Sequence, residues 1–294
     1  MKRIRGVQVL ILQDLLRNKS ILKRSPSGEE YRSIKLDEIK EISAQLNIAQ
    51  SLVEIGALED GIIPERYERN IGSVGLKGQI LLLKSKVAVI GAGGLGGFVV
   101  ELLARLGVGH LVVVDGDSFE ENNLNRQLLS SEEFLGMSKS DRAADRVARI
   151  NSSVSVTSCT CYVSPENAGD IIHGCNVVVD ALDNVKSRFV LEDACRAAGI
   201  PMVHGAIGGF FGQVMTIYPE DRGLELLYGP REKALNKGIE VSLGNPSATP
   251  PMVASWQVQE VVKVITGIGS PLRNRVLYMD AKEGDVHIIK FQKN

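Results

Sequence analysis

The middle of the chain alternates between short apolar runs and segments with helical periodicity. The apolar runs are KVAVIG (86–91), HLVVVD (110–115), NVVVDAL (176–182) and PMVHGA (201–206). Each is short and flanked by glycine or polar residues, as buried parallel strands are. Amphipathic segments separate the runs, one ending at Gly107 and one covering residues 139–150. Because strands separated by helices pair in parallel, we predict an α/β fold with a doubly wound, mostly parallel sheet.

The first 64 residues have a different pattern. Two helical stretches flank a polar break at residues 23–30, which is rich in serine, proline and glycine. In the second stretch, apolar residues recur at near-helical spacing from Leu36 to Ile55. We therefore predict a small helical N-terminal extension, residues 1–64, ahead of a main domain at residues 65–294.

The last third of the chain is less regular. A strand is predicted at residues 212–218, a helix at 252–265 and a closing hairpin from the runs 276–282 and 285–291. Between the strand and the helix lie about thirty residues of loop, 219–251, with several glycines and prolines. A loop of that length in a compact domain is usually functional or mobile.

Charge and composition exclude several classes of protein. The 34 basic and 35 acidic residues give a net charge of −1, so the chain has no overall basic field for nucleic acid. The hydrophobic share of 44% is that of a globular protein. No uncharged apolar run reaches the roughly 18 residues that a membrane span requires. We therefore expect a protein that has neither a nucleic-acid partner nor a membrane segment.

The cysteines indicate a reducing compartment. The four cysteines include no C-x-x-C pair, and only Cys159 and Cys161 are close together in the sequence. A disulfide framework is not expected in a chain of this length and cysteine density. We interpret the thiols as structural and expect a cytoplasmic protein.

A glycine-rich motif marks the first predicted strand as the start of a nucleotide site. Gly91, Gly93 and Gly96 form G-x-G-x-x-G directly after the strand and at the opening of a helix. Glycines at these positions let the backbone turn sharply and approach phosphate oxygens, while helix N–H groups point at the anion. Asp115 ends the next strand, where its carboxylate can accept hydrogen bonds from ribose hydroxyls. This combination predicts a Rossmann-like fold that binds a nucleotide.

The residues that follow favour a triphosphate over a dinucleotide. The polar segment after Asp115 contains Asp117, Asn122, Asn123, Asn125 and Arg126. Lys139 opens a later helix, and Asp180 and Asp183 end the third strand. Cations can neutralise a triphosphate and a carboxylate can hold magnesium, so the set suits phosphoryl or nucleotidyl transfer. A dinucleotide-dependent oxidoreductase and a non-catalytic nucleotide-binding scaffold remain as alternatives.

Several ordered motifs resemble those of the MoeB/ThiF/HesA family, the bacterial relatives of ubiquitin-activating enzymes. These motifs are RYERNI (66–71), GAGGLG (91–96), D-x-D (115–117), NNLNRQ (122–127), GMSK (136–139), VDALDN (179–184) and GQV (212–214). They occur in the family's order, and the resemblance covers about residues 66–291.

The resemblance implies an activity and a partner. Members of this family adenylate the C-terminal glycine of a ubiquitin-like sulfur-carrier protein of the ThiS or MoaD type, which ends in Gly-Gly and serves cofactor biosynthesis. The carboxylate attacks the α-phosphate of ATP, pyrophosphate leaves, and an acyl-adenylate remains. ATP and Mg²⁺ are therefore the expected cofactors, and the ubiquitin-like carrier is the expected partner.

The resemblance also assigns roles to individual residues. It implies that Asp183 coordinates magnesium, and that Arg69 reaches the active site of a neighbouring subunit, which makes the protein a homodimer. The implied catalytic residues are Arg69, Arg126, Lys139 and Asp183, of which Arg126 and Lys139, with Asn123, contact the phosphates. The implied nucleotide-binding residues are Gly91, Gly93, Gly94, Gly96, Asp115, Asp117, Asn122, Asn123, Asn125, Arg126, Lys139 and Asn184.

The sequence departs from the family pattern at its cysteines. Relatives commonly hold zinc with two C-x-x-C pairs, but the corresponding stretch here, GLELLYGPREK (223–233), has no cysteine. The chain is thus expected to lack zinc. Members that carry sulfur or a thioester use a cysteine in the long loop, and residues 219–251 contain none. We therefore expect adenylation alone, with sulfur supplied by another protein.

Overall fold

The fold is described by a computed structural model over residues 6–233 and 243–291. Its helices are α1 (Gly6–Lys19), α2 (Leu36–Leu46), α3 (Gln50–Glu59), α4 (Glu68–Lys84), α5 (Gly94–Leu106), α6 (Lys139–Ile150), α7 (Ala168–Ile172), α8 (Val185–Ala198), α9 (Glu225–Tyr228) and α10 (Thr249–Thr266). Its strands are β1 (Ile21–Arg24), β2 (Glu30–Ile34), β3 (Ile62–Pro64), β4 (Lys86–Ile90), β5 (His110–Val114), β6 (Ser155–Cys159), β7 (Val177–Asp180), β8 (Met202–Gly208), β9 (Phe211–Ile217), β10 (Arg275–Asp280) and β11 (Asp285–Lys290).

An eight-stranded mixed sheet forms the centre of the main domain. Its strand order is β11-β10-β9-β8-β7-β4-β5-β6. Five neighbouring strands, β8, β7, β4, β5 and β6, pair in parallel. Strands β9, β10 and β11 extend the sheet in antiparallel pairing. The chain runs from β4 to β5 and β6 on one side, and then returns to place β7 on the other side of β4. Ligands of such sheets bind where the strand order reverses, which here is between the ends of β4 and β7.

Helices cover both faces of this sheet. Val87 and Val89 of β4 belong to the core that includes α5, α6 and α10, whereas Ala88 and Ile90 belong to the core that includes α7 and α8. A strand buried on both faces has apolar residues at every position, which is why its sequence is a continuous apolar run. The predicted α/β fold with a doubly wound, mostly parallel sheet is confirmed.

The N-terminal extension contains strands that the sequence pattern did not predict. The polar break at residues 23–30 contains the turn of a hairpin between β1 and β2, and β3 pairs in parallel with β2. The second helical stretch is two helices, since Asn47 takes a left-handed conformation with φ of 51° after α2. The predicted helical extension thus also contains a three-stranded sheet, which the sequence did not reveal because strands this short and exposed have little apolar alternation to detect.

The extension has an apolar core of its own and also contacts the main domain. Its core includes Leu12 and Leu16 of α1 and Ile39 and Ile42 of α2. A second cluster joins α3 to Tyr67 and α4. Apolar contacts continue across residue 64, so the domain boundary at this residue stays a prediction. Residues 1–5 of the extension lie outside the described ranges.

The final third contains the predicted strand, helix and hairpin. The loop at residues 219–251 includes the short helix α9, and α10 begins at Thr249, slightly earlier than predicted. Residues 234–242 of this loop lie outside the described ranges. Within the described part of the chain, no helix is both long and apolar enough to cross a membrane.

Candidate functional site

A cavity of about 340 Å³ opens at the carboxyl ends of β4, β5 and β7. Most of the predicted site residues line it, although they come from distant parts of the sequence. These residues are Gly91, Gly93, Gly94, Asp115, Asp117, Arg126, Lys139, Asp183 and Asn184. The position of the cavity is the point of strand reversal at which ligands of such sheets bind.

The glycine turn forms one wall of this cavity. Gly91 has a φ of +100°, which favours glycine, and its N–H donates to the carbonyl of Val114 at 2.8 Å. A Cβ on Gly96 would lie 1.7 Å from the carbonyl oxygen of Gly91, so a side chain cannot fit there. Helix α5 begins at Gly94, and no side chain caps it. Its first N–H groups can therefore bind an anion in the cavity.

Two carboxylates follow β5. The Asp115 carboxylate accepts the N–H of Ala92 at 2.7 Å and the N–H of Asp117 at 2.9 Å. Burial raises the pKa of Asp115, and these two N–H donors oppose that shift. Asp117 accepts the hydroxyl of Tyr162 at 2.5 Å and the ammonium of Lys139 at 3.0 Å, and both contacts lower its pKa. Asp115 thus braces the glycine turn from the end of the neighbouring strand.

Two cations face the same cavity. Lys139 is the first residue of α6 and is only 6% exposed. The Nη1 of Arg126 donates to the carbonyl of Asn122 and to the Oδ1 of Asn125, both at 2.8 Å. Asn125 in turn donates to the carbonyl of Asn245 at 3.1 Å. Hydrogen bonds therefore hold both cations in place beside the cavity.

The segment after β7 supplies an exposed carboxylate and another helix N-terminus. Asp183 is exposed, and the side chain of Asn184 caps α8 by accepting the N–H of Ser187 at 2.8 Å. The amide of Asn184 also donates to Asp183 Oδ1 at 3.3 Å. Cations, helix N-termini and an exposed carboxylate around one cavity can hold a phosphate chain together with its counter-ion.

Comparison with known proteins identifies the family. The pattern of the "ThiF family" matches residues 67–294. The chain belongs to the ThiF family. Among its relatives, the "SAMP-activating enzyme E1" of Haloferax volcanii is 37% identical over 232 residues, which cover 78% of this chain and 86% of that protein.

Two further comparisons describe the size and fold of this ThiF family member. The "Adenylyltransferase and sulfurtransferase MOCS3-2" of Zea mays is 36% identical over 252 residues, covering 83% of this chain but 52% of that protein. The chain thus spans about half the length of this relative. A crystal structure of E. coli MccB with AMPCPP and MccA superposes with a TM-score of 0.63 at 19% identity, covering 88% of this chain and 80% of that one. This likeness concerns the fold.

Not every residue predicted from the ThiF family pattern lines the cavity. Gly96 packs against Gly91 behind the wall, and Asn122 and Asn125 orient Arg126. Asn123 is buried, and its side chain accepts the N–H of Glu120 at 3.0 Å as part of a capping box. The implied phosphate contact of Asn123 stays a prediction, because its carboxamide bonds within its own turn.

Arg69 also lies away from this cavity. It is exposed in the first turn of α4 and does not line the cavity. The expectation that it acts in a neighbouring subunit stays a prediction, since the structure describes one chain.

Several side chains at the cavity of this ThiF family member were not predicted from the sequence, including four large polar ones. Gln127, Tyr162, Arg188 and Asn245 line it beside the predicted residues. Tyr162 is 70% exposed, and its ring lies against the backbone of Gly116. No local signal could have identified Tyr162 or Asn245, because each reaches the site from a loop remote in sequence. Arg188 lies in α8, soon after Asp183, and this nearness in sequence was the one signal that could have placed it at the site.

The described residues include no group of three or more His, Cys, Asp or Glu side chains that could hold a metal ion. Cys159, Cys161, Cys175 and Cys195 are free thiols. Burial raises the pKa of Cys175 to about 11, so this thiol is unreactive at neutral pH.

Proposed function

We propose that this chain is an ATP-dependent adenylyltransferase that activates the C-terminal glycine carboxylate of a ubiquitin-like sulfur-carrier protein. The observation that carries the proposal is the convergence of Arg126, Lys139 and Asp183 around one cavity next to the glycine turn. The names of the relatives support it, since one is a SAMP-activating enzyme and another an adenylyltransferase and sulfurtransferase.

The geometry suggests how each group acts. The carrier's carboxylate oxygen attacks the α-phosphorus of ATP, and the bond from this phosphorus to the pyrophosphate oxygen breaks. Asp115 accepts the ribose hydroxyls, and the first N–H groups of α5 bind the phosphate chain. Arg126 and Lys139 neutralise the charge that grows on the leaving pyrophosphate. The products are an acyl-adenylate and pyrophosphate, and no residue of this chain is modified.

Magnesium fits the donor set at Asp183. Mg²⁺ is usually held by one or two protein carboxylates together with substrate phosphates, and Asp183 is an exposed carboxylate on the cavity wall. When bound there with ATP, the ion would neutralise phosphate charge and favour departure of pyrophosphate. Asn184 would hold the Asp183 carboxylate through its amide hydrogen bond.

The proposed function also bears on the oligomeric state of the protein and on its cellular compartment. We propose a homodimer in which Arg69 from one subunit reaches the cavity of the other, as the family resemblance implies. The free thiols and the use of ATP fit a cytoplasmic protein. A dinucleotide-dependent oxidoreductase is less well supported, because two positioned cations at the cavity serve a triphosphate better than a nicotinamide ring.

ATP–pyrophosphate exchange with candidate carriers that end in Gly-Gly tests the proposal. We expect exchange in the wild-type protein and a loss of about 10²–10³-fold in Asp183→Asn, by analogy with the removal of other groups that stabilise transition-state charge. Asp285→Asn is the matched control, because Asp285 is an exposed carboxylate in β11. Asp285→Asn should exchange at the wild-type rate.

Three results would contradict the proposal in different ways. Full exchange by Asp183→Asn would remove the role given to this carboxylate. Tight binding of NAD(H) without binding of ATP would favour the oxidoreductase. ATP binding without exchange across a panel of carriers would favour a nucleotide-binding scaffold.

A further inference from the structure

A polar cluster lies next to the loop that carries Asp183, and the proposed chemistry does not use it. Its members are Asp180, Arg188, His204, Gln213 and Tyr228. Asp180 and His204 are fully buried, and Arg188 is only 6% exposed. Polar groups this deeply buried are costly unless they are hydrogen-bonded to one another.

Each hydrogen bond between Arg188, Tyr228, His204 and Asp180 can be assigned a donor and an acceptor. Burial lowers the pKa of His204, so its imidazole is neutral at pH 7. We assign the proton to Nδ1, which donates to Asp180 Oδ2 at 2.7 Å, and this leaves Nε2 as an acceptor. The hydroxyl of Tyr228 lies 3.1 Å from that Nε2 and accepts Arg188 Nη1 at 2.5 Å. A continuous path thus runs from Arg188 through Tyr228 and His204 to Asp180.

Two members of the cluster hold the peptide groups of Leu182, the residue before Asp183. Asp180 Oδ1 accepts the N–H of Leu182 at 3.0 Å, and Arg188 Nη2 donates to the Leu182 carbonyl at 2.6 Å. The preceding residue, Ala181, donates its N–H to Ile90 at the end of β4 at 3.0 Å. The backbone that carries Asp183 is therefore fixed by side chains of the cluster and by the neighbouring strand.

Tyr228 belongs to a different segment, the loop that follows β9. Leu226 and Leu227 pack against the core that includes α8. Arg231 binds Asp193 of α8 at 2.6 Å and lies over the ring of Phe189. The hydroxyl of Tyr228 accepts a hydrogen bond from Arg188, and its ring lies 5.7 Å from the Arg188 guanidinium, so this loop is connected to Leu182 through Arg188.

We propose that Tyr228 is a positioning residue for adenylation, linking the docked loop to the placement of the Asp183 carboxylate through Arg188 and the Leu182 peptide. The inference rests on the proposed function for its effect on catalysis. Without the hydroxyl, Arg188 loses one acceptor and the Leu182 carbonyl is held less firmly. The Asp183 oxygens then occupy a wider range of positions, and the magnesium–ATP complex is bound less productively.

The variant Tyr228→Phe tests this link, because it keeps the ring and removes the hydroxyl. We expect the kcat of ATP–pyrophosphate exchange to fall about tenfold, since small displacements of a site residue can cost up to about 10²-fold in rate. The Mg²⁺ concentration for half-maximal exchange should rise several-fold, while the KM for the carrier stays unchanged. Arg188→Lys should show the same rise in Mg²⁺ requirement, because lysine is shorter and lacks the two separate nitrogens with which Arg188 bonds to Tyr228 and Leu182.

The control is Tyr278→Phe. Tyr278 is a half-buried tyrosine of β10 whose ring stacks on Phe211. It lies opposite Gln213 in the pairing of β10 with β9, but its hydroxyl is not part of the hydrogen-bonded path from Arg188 to Asp180. It should match the wild type in rate, in Mg²⁺ requirement and in melting temperature. A wild-type Mg²⁺ requirement in Tyr228→Phe, with or without a lower rate, would overturn the proposal, since a purely structural role would not alter magnesium dependence.

Hydrogen exchange separates this inference from the proposed function. The amide of Leu182 is bonded to Asp180, and in a peptide spanning residues 181–184 it should exchange several-fold faster in Tyr228→Phe than in the wild type or in Tyr278→Phe. If the wild type shows no pyrophosphate exchange, the proposed function fails, but this measurement still tests the link. Unchanged protection of Leu182 in both Tyr228→Phe and Arg188→Lys would refute it.

Discussion

At the scale of single residues, two glycines of the turn are glycine for different reasons. A Cβ on Gly96 would lie 1.7 Å from the Gly91 carbonyl oxygen, so the fold itself requires glycine there. The atoms nearest to a Cβ on Gly94 would be side-chain atoms of Pro250 and Arg126, at 3.6–3.8 Å, which is ordinary contact. The fold therefore tolerates a methyl group at Gly94, and only a closely approaching ligand would exclude it.

The pair Gly94→Ala and Gly96→Ala should separate folding from binding. We expect Gly96→Ala to lower the free energy of unfolding by about 3 kcal/mol or to prevent folding, because the backbone must move. Gly94→Ala should keep the wild-type melting temperature and bind ATP about tenfold more weakly, because its methyl group would displace the phosphates. Thermal unfolding and calorimetric titration with ATP measure both effects. Wild-type ATP affinity in Gly94→Ala would mean that the phosphates do not approach this residue.

At the scale of elements, the N-terminal extension joins the main domain through the hydroxyl of Tyr67. This side chain is fully buried, donates to Glu54 of α3 at 3.1 Å and accepts the amide of Asn151 at 3.0 Å. Asn151 also donates to the carbonyl of Ala104 in α5 at 2.9 Å. Burial raises the pKa of both Tyr67 and Glu54. One hydroxyl thus connects the extension with the helices that support the glycine turn.

Removing this hydroxyl should weaken the whole chain. Tyr67→Phe leaves polar atoms of Glu54 and Asn151 buried with one partner fewer, so we expect the free energy of unfolding to fall by about 1–3 kcal/mol. Urea denaturation followed by circular dichroism measures this change, with Tyr278→Phe as the control that loses a less buried hydroxyl. A loss below about 0.5 kcal/mol would show that these contacts add little net stability.

At the scale of the whole molecule, the position of Arg69 bears on whether the protein forms a dimer. It is exposed on α4, away from the cavity that holds the other proposed catalytic residues. An arginine so placed can act in catalysis when a second copy brings it to the neighbouring cavity. A two-fold symmetric dimer would form two such shared sites, each built from both subunits.

Mixing two inactive variants tests the shared site. Arg69→Ala and Asp183→Asn should each lose most of the exchange activity alone, but a mixed dimer contains one site with both groups intact. With random subunit exchange we expect about a quarter of the wild-type rate, since half the dimers are mixed and each has one working site. Full activity of Arg69→Ala alone would remove its proposed role. No recovery on mixing would place Arg69 in its own subunit's site or show that no dimer forms.

The local sequence was sufficient to predict those elements whose structure is determined by their own residues. The apolar runs that became β4, β5 and β7 were recognisable because burial on both faces requires apolar side chains at every position. Helix α6 was predicted over residues 139–150 as observed, and α5 ends at Gly107, whose left-handed conformation with φ of 79° suits glycine. The glycine turn could be predicted for the same reason, because its residues 91–96 are consecutive in the sequence.

The elements that were not predicted have weak patterns of their own. The hairpin of β1 and β2 is short and exposed, so its stability comes from pairing with β3 and from the core beneath it, rather than from a pattern of its own. Helix α4 is interrupted by Gly75, whose φ of 68° is not helical, which weakens its periodicity.

The sequence by itself therefore determined the α/β architecture, the glycine turn and most of the charged residues that line the cavity beside it. Only the tertiary structure decided that Asn125 reaches the carbonyl of Asn245, that Tyr162 holds Asp117, and that Tyr228 reaches Arg188 from a separate loop. The reason is physical. Periodicity and glycine spacing act between neighbours along the chain, whereas hydrogen bonds between remote loops form only after the packed sheet has brought those loops together.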